Sequence, residues 1–347
     1  MISVILAGGK GIRLWPESRQ EKPKQFCRLV DDRSMLDHTI DRCINTGFNR
    51  IVIITSDDLL PHVQQLVQQR PDNSIIEILS EPEGKNTAPA VGLALARYQA
   101  EPDEIIAVFP SDHHILDNDG FGNTISKAVQ AANNNHIAIV GVMPNRPETG
   151  YGYIEKSRWE VSEIPDVFQV SSFREKPDLP TAESYLAAGN YMWNAGIYIG
   201  KTSIFMEEFM KHIPQLYEPI AQGYEPYRDA YALLPSISLD YGIAEKSDRM
   251  AVVSGDFGWC DLGSWNALAE LHQQDERQNI CAGQDVVILD SNNCLVKQTE
   301  KTIVLFGVDN LLVVETGDVI LISERQRCQD VRSLVEALNR EQRFDLL

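Results

Sequence analysis

Between Ile2 and Val142 the chain alternates short, almost wholly apolar runs with longer amphipathic stretches, and this alternation constrains the fold more than any other feature. Ile2–Ala7, Ile51–Thr55, Ile75–Leu79, Ile105–Phe109 and Ile137–Val142 read as buried strands. Met35–Asn45, Leu59–Gln69, Ala88–Ala100 and Phe121–Asn133 carry apolar residues at helical spacing and read as helices. Strands alternating with helices imply βαβ units, hence an α/β fold with a mainly parallel sheet and helices on both faces. Ligands of such sheets bind outside the carboxyl ends of the strands, so the residues just after each strand are the informative ones.

From about Thr149 the pattern becomes irregular. Gly150–Ile154 and Val167–Phe173 look like antiparallel additions that make the sheet mixed, and Thr181–Ala188 and Ser203–His212 look helical. The texture changes again around Asp275–Gly283. Val286–Leu289, Cys294–Val296, Thr302–Phe306, Leu311–Glu315 and Val319–Ile322 are short β runs separated by turn residues. Their regular spacing predicts a small β-solenoid or β-roll, and Val331–Arg343 reads as a terminal amphipathic helix. The expected division is therefore a Rossmann-like α/β domain over residues 1–275 and a β-rich domain with its helix over 276–347.

A length of 347 residues with 43% hydrophobic content is enough for a large core, and the net charge of -19 bears on partners. So acidic a chain is a poor binder of nucleic acid or anionic membrane. A phosphorylated ligand would have to be held locally, by backbone N–H groups, a few Lys/Arg side chains and a metal ion. No apolar run is long enough to predict a transmembrane helix. The start, Met1-Ile2-Ser3-Val4, lacks the basic region of a secretory leader, so a cytoplasmic location is expected. The six cysteines form no C-x-x-C pair and read as reduced thiols, and the seven histidines show no metal-binding spacing.

The first strand runs through Leu6 and Ala7 into Gly8-Gly9-Lys10-Gly11-Ile12-Arg13. Glycines there let backbone N–H groups close on phosphate oxygens, and Arg13 would add charge-assisted hydrogen bonds. A dinucleotide fingerprint fails because Leu14 stands where its third glycine belongs, and no Walker A loop is present. A tight turn without a ligand is the other reading of the glycines alone. Trp15-Pro16 and Pro23-Lys24-Gln25-Phe26 follow. The whole run, Leu6-Ala7-Gly8-Gly9-x-Gly11-x-Arg13-Leu14-Trp15-Pro16 with Pro23-Lys24-Gln25-Phe26, resembles the signature of sugar-phosphate nucleotidyltransferases. Its Trp15 and Gln25 resemble the mannose-1-phosphate guanylyltransferase branch. The resemblance implies that Arg13 contacts a triphosphate and that Lys24 neutralises phosphate charge at the reacting centre.

Further segments carry the same resemblance. Glu81-Pro82-Glu83-Gly84-Lys85-Asn86-Thr87-Ala88-Pro89-Ala90 is similar to the family's base and ribose segment, which implies guanine nucleotide binding by Glu81, Asn86, Thr87, Ala88 and Pro89. Read from the residues alone, Asn86 and Thr87 are helix caps with Pro89 in the first turn. Pro110-Ser111-Asp112-His113 and Trp259-Cys260-Asp261-Leu262-Gly263-Ser264-Trp265 resemble the two metal motifs, which implies Mg²⁺ on Asp112 and Asp261. Read from the residues alone, Asp261 is the N-cap of a helix over Leu262–His272. Glu175-Lys176-Pro177, Trp193-Asn194-Ala195-Gly196 and Thr149-Gly150-Tyr151-Gly152 resemble sugar-phosphate motifs. They imply roles there for Gly150, Tyr151, Glu175, Lys176 and Asn194. Asp240-Tyr241-Gly242-Ile243-Ala244 adds Asp240, although Gly242 and Ala244 depart from the family's residues.

The resemblance thus implies an enzyme that joins mannose 1-phosphate to GTP, releasing pyrophosphate, with Arg13, Lys24, Asp112, Lys176 and Asp261 as its catalytic groups. The partners implied are small molecules, GTP and mannose 1-phosphate, with neither nucleic acid nor membrane; size and fold are compatible with a homodimer. Some family members continue into a phosphomannose isomerase domain. A chain of 347 residues leaves no room for one, so no isomerase activity is expected. Three alternatives stay open: another base or sugar such as glucose or heptose, a non-catalytic nucleotide-sugar-binding relative, and an unrelated nucleotide-binding protein such as a dehydrogenase.

Overall fold

A computed structural model describes residues 1–9, 11–161 and 164–347; Lys10 of the glycine loop lies outside the described residues. The chain forms two compact units. The first comprises Met1–Gly8, Asp37–Ser111 and Ile115–Trp259, the second Gly9–Leu36, Asp112–His114 and Cys260–Leu347.

The elements begin β1 (Ile2–Leu6), α1 (Met35–Asn45), β2 (Arg50–Ser56), α2 (Leu60–Gln68), β3 (Ile76–Glu81), α3 (Thr87–Tyr98), β4 (Ile105–Pro110), β5 (His114–Ile115), α4 (Asn118–Asn133) and β6 (Ile137–Val142). There follow β7 (Gly152–Glu160), β8 (Val167–Glu175), α5 (Leu179–Ala188), β9 (Tyr191–Lys201), α6 (Thr202–His212), α7 (Pro214–Ile220), α8 (Tyr224–Asp229), β10 (Met250–Gly255) and β11 (Trp259–Cys260). Among the described residues nine of these strands make one sheet, in the order β3-β2-β1-β4-β9-β6-β10-β8-β7. The pairings set β1, β2, β3, β4, β6, β7 and β10 in one direction and β8 and β9 in the other. The sheet is therefore mixed but mainly parallel. Its apolar runs are continuous because helices cover it: β1, β2 and β4 are buried along almost their whole length.

The long central strand β9 has no counterpart in the sequence reading. Asn194 and Gly196 interrupt its apolar pattern, Gly196 takes φ +70, and the register slips between Ile139 and Gly141 of its neighbour β6. A bulge breaks the period of two on which a strand reading depends.

The second unit holds α9 (Trp265–Ala269), β12 (Ile280–Ala282), β13 (Val286–Leu289), β14 (Leu295–Lys297), β15 (Ile303–Phe306), β16 (Leu311–Glu315), β17 (Ile320–Glu324) and α10 (Val331–Arg340). Parallel pairs β14–β16 and β13–β15 match Leu295 with Leu312 and Val286 with Ile303. Since 312 − 295 and 303 − 286 both equal 17, the chain advances one coil in that many residues. The corners repeat too: Asn293 and Asn310 both take left-handed φ, and Asn293 Nδ2 donates to Asn310 Oδ1 at 2.7 Å. This is the β-solenoid that the evenly spaced β runs predict. The expected helix Leu262–His272 is shorter. Leu262 has φ +47, so the helix starts only where the Ser264 hydroxyl accepts the Ala267 N–H at 3.2 Å.

One buried carboxylate braces the solenoid. Glu315 is fully buried and accepts N–H groups from Thr299, Glu300 and Lys301. Those amides, Thr299 first, hold its carboxyl below the usual range. A depressed folded value means stability present above the unfolded value, about 4.3, and lost as pH falls through the folded one. Glu315→Gln is therefore expected to lower the melting temperature at pH 7, with the deficit narrowing below about pH 4.3. A pH series of thermal melts checks this.

Candidate active site

The second unit gathers one set of the expected residues. Its glycine-loop segment, Gly9–Leu36, does not pack as a free loop. Leu14, Trp15, Cys27, Leu29 and Met35 share a core with Leu262, Trp265, Leu295, Leu312 and Val331. The loop is closed from within: Gln25 Nε2 donates to the Gly9 carbonyl at 3.0 Å. Gly11 takes φ +48, and an ideal Cβ there would lie 2.7 Å from Lys24 Cβ. Only glycine fits, for conformation and for space.

That apposition delivers Lys24. The side chain is 6% exposed as a residue, and its Nζ donates to Asp112 Oδ2 at 2.8 Å and to the main-chain carbonyl of Asp261. Burial works to raise the Asp112 carboxyl, but Lys24 and His113 outweigh it and hold it below the usual range. Asp261 is not a helix cap. Its Oδ1 accepts the Gly263 N–H at 3.0 Å, a local turn that fixes the carboxylate just before α9. Burial pushes the neighbouring Cys260 thiol up to about 11, so it is protonated at neutral pH. Arg13 is exposed and has no ion pair among the described residues.

Do these residues suit a metal? Among the described residues no three His, Cys, Asp or Glu side chains cluster as a cage. A hard divalent ion of the Mg²⁺ type does not need one, since it takes one or two carboxylates and fills its shell with phosphate oxygens and water. Asp112 offers a carboxylate held below its usual value, and the Asp261 carboxylate belongs to a residue whose main-chain carbonyl shares the Lys24 ammonium with it. The pair fits such an ion.

The first unit gathers the others. β1 and β4 are adjacent and parallel, and Ala7–Gly8 and Ser111 follow their carboxyl ends. The Thr55 hydroxyl donates to the Ala7 carbonyl at 3.2 Å. A side chain at Gly8 would collide with the Glu81 carboxylate. Glu81 is 5% exposed and accepts the Tyr231 hydroxyl at 2.5 Å. Burial raises its carboxyl in spite of that bond. Asn86 caps α3, its Oδ1 accepting the Thr87 N–H at 2.9 Å, as the capping reading predicts. Thr87 turns its hydroxyl elsewhere and accepts the Leu239 N–H at 2.8 Å. Ala88 and Pro89 are buried in the first turn.

A third cluster surrounds Asp240. The segment Asp240–Ala244 is a π-helical turn, a form frequent at functional sites. Asp240 Oδ1 accepts from Tyr198 Oη at 2.5 Å and from Asn194 Nδ2 at 2.8 Å. Burial, then Asp240, pushes the Tyr198 hydroxyl well up, so it remains a donor. Gly152 lies between Glu175 and Asn194: a Cβ there would be 2.5 Å from Glu175 Oε2 and 3.3 Å from Asn194 Cβ. Lys176 takes φ +47, donates its N–H to the Tyr151 carbonyl at 3.1 Å and pairs its Nζ with Glu175 at 2.6 Å. Burial and Asp240 raise the Glu175 carboxyl against that pairing. The Gly150 N–H goes to Glu148 at 3.1 Å, and Tyr151 meets Trp193 edge-on at 5.2 Å. Sequence reasoning missed Tyr198 and Tyr231, since buried tyrosines look like core until their hydroxyl partners are known.

Comparison with known proteins finds relatives of nearly the whole chain. The nucleotidyl transferase family profile covers residues 2–278, and a "MannoseP isomerase/GMP-like beta-helix domain" profile covers 284–338. The alginate biosynthesis protein AlgA of Pseudomonas putida is 36% identical over 99% of this chain and 73% of its own length. A mannose-1-phosphate guanylyltransferase of Klebsiella pneumoniae is also 36% identical over 99% of this chain, and 75% of its own. A crystal structure described as a mannose-1-phosphate geranyltransferase from Thermus thermophilus superposes with a TM-score of 0.89 at 31% identity, covering 97% of this chain and 99% of that one. Among the described residues no helix is long and apolar enough to cross a membrane. With a family profile spanning the sheet and the residues of all three clusters, the chain belongs to the nucleotidyl transferase family.

Proposed function

We propose that this chain transfers GMP from GTP to α-D-mannose 1-phosphate, giving GDP-mannose and pyrophosphate. The observation that carries the reading is the Lys24 ammonium held by the Asp112 carboxylate and the Asp261 carbonyl, with Lys24 packed against Gly11 of the glycine loop. The choice of guanine and mannose rests on relatives of that name that match nearly the whole chain.

The reaction is an in-line displacement. A phosphate oxygen of the sugar forms a bond to the α-phosphorus of the nucleotide, the bond from that phosphorus to the bridging oxygen breaks, and pyrophosphate leaves with the electron pair. The nucleophile is already an anion and needs no general base. Repulsion between two anions is the obstacle, so catalysis is positioning and charge neutralisation. Backbone groups of Leu6, Ala7, Gly8, Gly9 and Gly11 cradle the phosphates, with Arg13 on the terminal ones and Lys24 at the reacting centre. Asp112 and Asp261 would hold Mg²⁺, which when bound would supply Lewis-acid charge to the phosphate oxygens. Glu81, Asn86, Thr87, Ala88 and Pro89 line the base and ribose side. Lys176 meets the sugar phosphate, and Gly150, Tyr151, Glu175, Asn194 and Asp240 meet the sugar. We assign the chemistry to residues 1–275 and a supporting role to 276–347, in a cytoplasmic enzyme that forms a homodimer.

Pyrophosphate release tests the reading. With mannose 1-phosphate and Mg²⁺, GTP is expected to be used at least about tenfold better than ATP, CTP or UTP, a ratio that one lost pair of base hydrogen bonds produces. Equal use of all four, or release only with another sugar phosphate, would replace the assigned substrates. Asp240→Asn should raise the KM for mannose 1-phosphate about tenfold or more: the amide oxygen can keep both bonds that end on Oδ1, but the NH2 group that replaces Oδ2 cannot accept from a sugar hydroxyl. An unchanged KM removes Asp240 from the sugar pocket.

A further inference from the structure

Arg325, at the turn after β17, differs from Arg327 and Arg332. Arg327 pairs with Asp330 at 2.9 Å and Arg332 with Glu336 at 3.2 Å. Arg325 has no carboxylate within ion-pair distance among the described residues. Neutral oxygens hold it instead: its Nε donates to Asn266 Oδ1 at 3.2 Å, and its Nη1 to Asn293 Oδ1 at 2.8 Å and to the Gln278 carbonyl at 3.4 Å. Segments distant in sequence thus orient a guanidinium without neutralising it, in a chain whose net charge is -19. Its Nη2 has no acceptor among the described residues.

This guanidinium lines a concavity of about 360 Å³ together with Asn266, Glu270, Gln274, Asn293 and Gln326, over a buried floor of Ile280 and Ala269. The volume falls in the range of small-ligand sites. Asn266 and Asn293 are engaged with Arg325, Cys328 and Asn310, but the exposed Gln274 and Gln326 carboxamides offer acceptors and donors in one plane, which suits sugar hydroxyls. The open side of an arginine fork suits a phosphate or carboxylate. Glu270 on the same lining repels a second anionic group. We propose that this concavity binds a monosaccharide carrying a single phosphate or carboxylate, with Arg325 as its charge partner. None of its residues belongs to the Lys24–Asp112–Asp261 group or to the Asp240 cluster, so the proposal stands or falls separately from the reaction assigned above.

Calorimetric titration of the full chain with glucose 6-phosphate, glucuronate, glucose and inorganic phosphate tests it. The background is Lys24→Ala with Asp240→Asn, which weakens binding at the other clusters. One charged sugar is expected to bind with a Kd of about 1 mM or tighter, and the tighter of the two identifies the anionic group. Arg325→Gln should weaken it at least about tenfold through loss of the charge-assisted bonds. Gln326→Trp, on an exposed residue that makes none of Arg325's bonds, should do the same by filling the space and covers a folding failure of the first variant. Glucose and phosphate should each bind at least about tenfold more weakly, lacking one half of the recognition. Unchanged affinity in both variants, no saturable binding of either charged sugar, or phosphate binding as tightly as the sugars would overturn the site.

Discussion

Asp112→Ala is expected to lower turnover by about a hundredfold or more, the usual effect of losing one oriented electrostatic group in a site that works by charge. The fold should survive, because the Asp112 side chain is 31% exposed and its removal opens no closed cavity. Two things are lost together. The proposed metal loses a ligand, and the Lys24 ammonium loses the carboxylate that holds its Nζ at 2.8 Å, retaining only the Asp261 carbonyl. Lys24→Ala should also reduce turnover, but added Mg²⁺ should not restore it, whereas Asp112→Glu should recover part of the rate as Mg²⁺ is raised. Because Lys24 and His113 keep the Asp112 carboxyl below its ordinary value, protonation of this ligand matters only in acid, and the rate near neutrality is insensitive to it. The measurement is pyrophosphate release per folded molecule, with circular dichroism to verify folding. A wild-type rate in Asp112→Ala would show that this aspartate holds nothing the reaction needs.

How much of this was legible beforehand differs between elements for physical reasons. β1, β2, β4 and β6 were readable because strands buried on both faces leave unbroken apolar runs. The β-solenoid was readable because each coil repeats the same turn and core positions. β9 was not, since its bulge and Gly196 break the period, and neither was the true start of α9, which a left-handed Leu262 sets. At the site, motifs singled out Lys24, Asp112 and Asp261, and their meeting in one unit depends on contacts that no spacing encodes. Tyr198 and Tyr231 stayed invisible for a similar reason. Each is a core aromatic in every local respect, and only its hydroxyl partner, Asp240 or Glu81, marks it as polar machinery.

The same dependence on tertiary contacts makes Trp265→Ala the other large expected effect. Trp265 is fully buried in the second unit's core beside Leu14, Trp15 and Leu29. Truncating such a side chain costs about 3–5 kcal/mol. Beyond packing, its Nε1–H donates to the Trp15 carbonyl at 3.1 Å. Lys297 Nζ lies 5.8 Å from a ring centroid of Trp265 and pairs with Glu17 Oε2 at 2.6 Å, two residues after Trp15. The segment that carries Arg13 and Lys24 is thus seated on α9 and the solenoid by a ring, a hydrogen bond and an ion pair. Trp265→Phe separates these contributions. It keeps most of the apolar volume but leaves the Trp15 carbonyl without its donor, a loss of about 1–3 kcal/mol. Denaturant melts should rank wild type above Trp265→Phe and that above Trp265→Ala. Turnover per folded molecule, measured well below the melting range, should fall in both variants because Lys24 is no longer held at Asp112. If turnover stayed at the wild-type level while stability dropped, the solenoid would be a stabilising appendage, and the glycine loop would find its catalytic geometry without it.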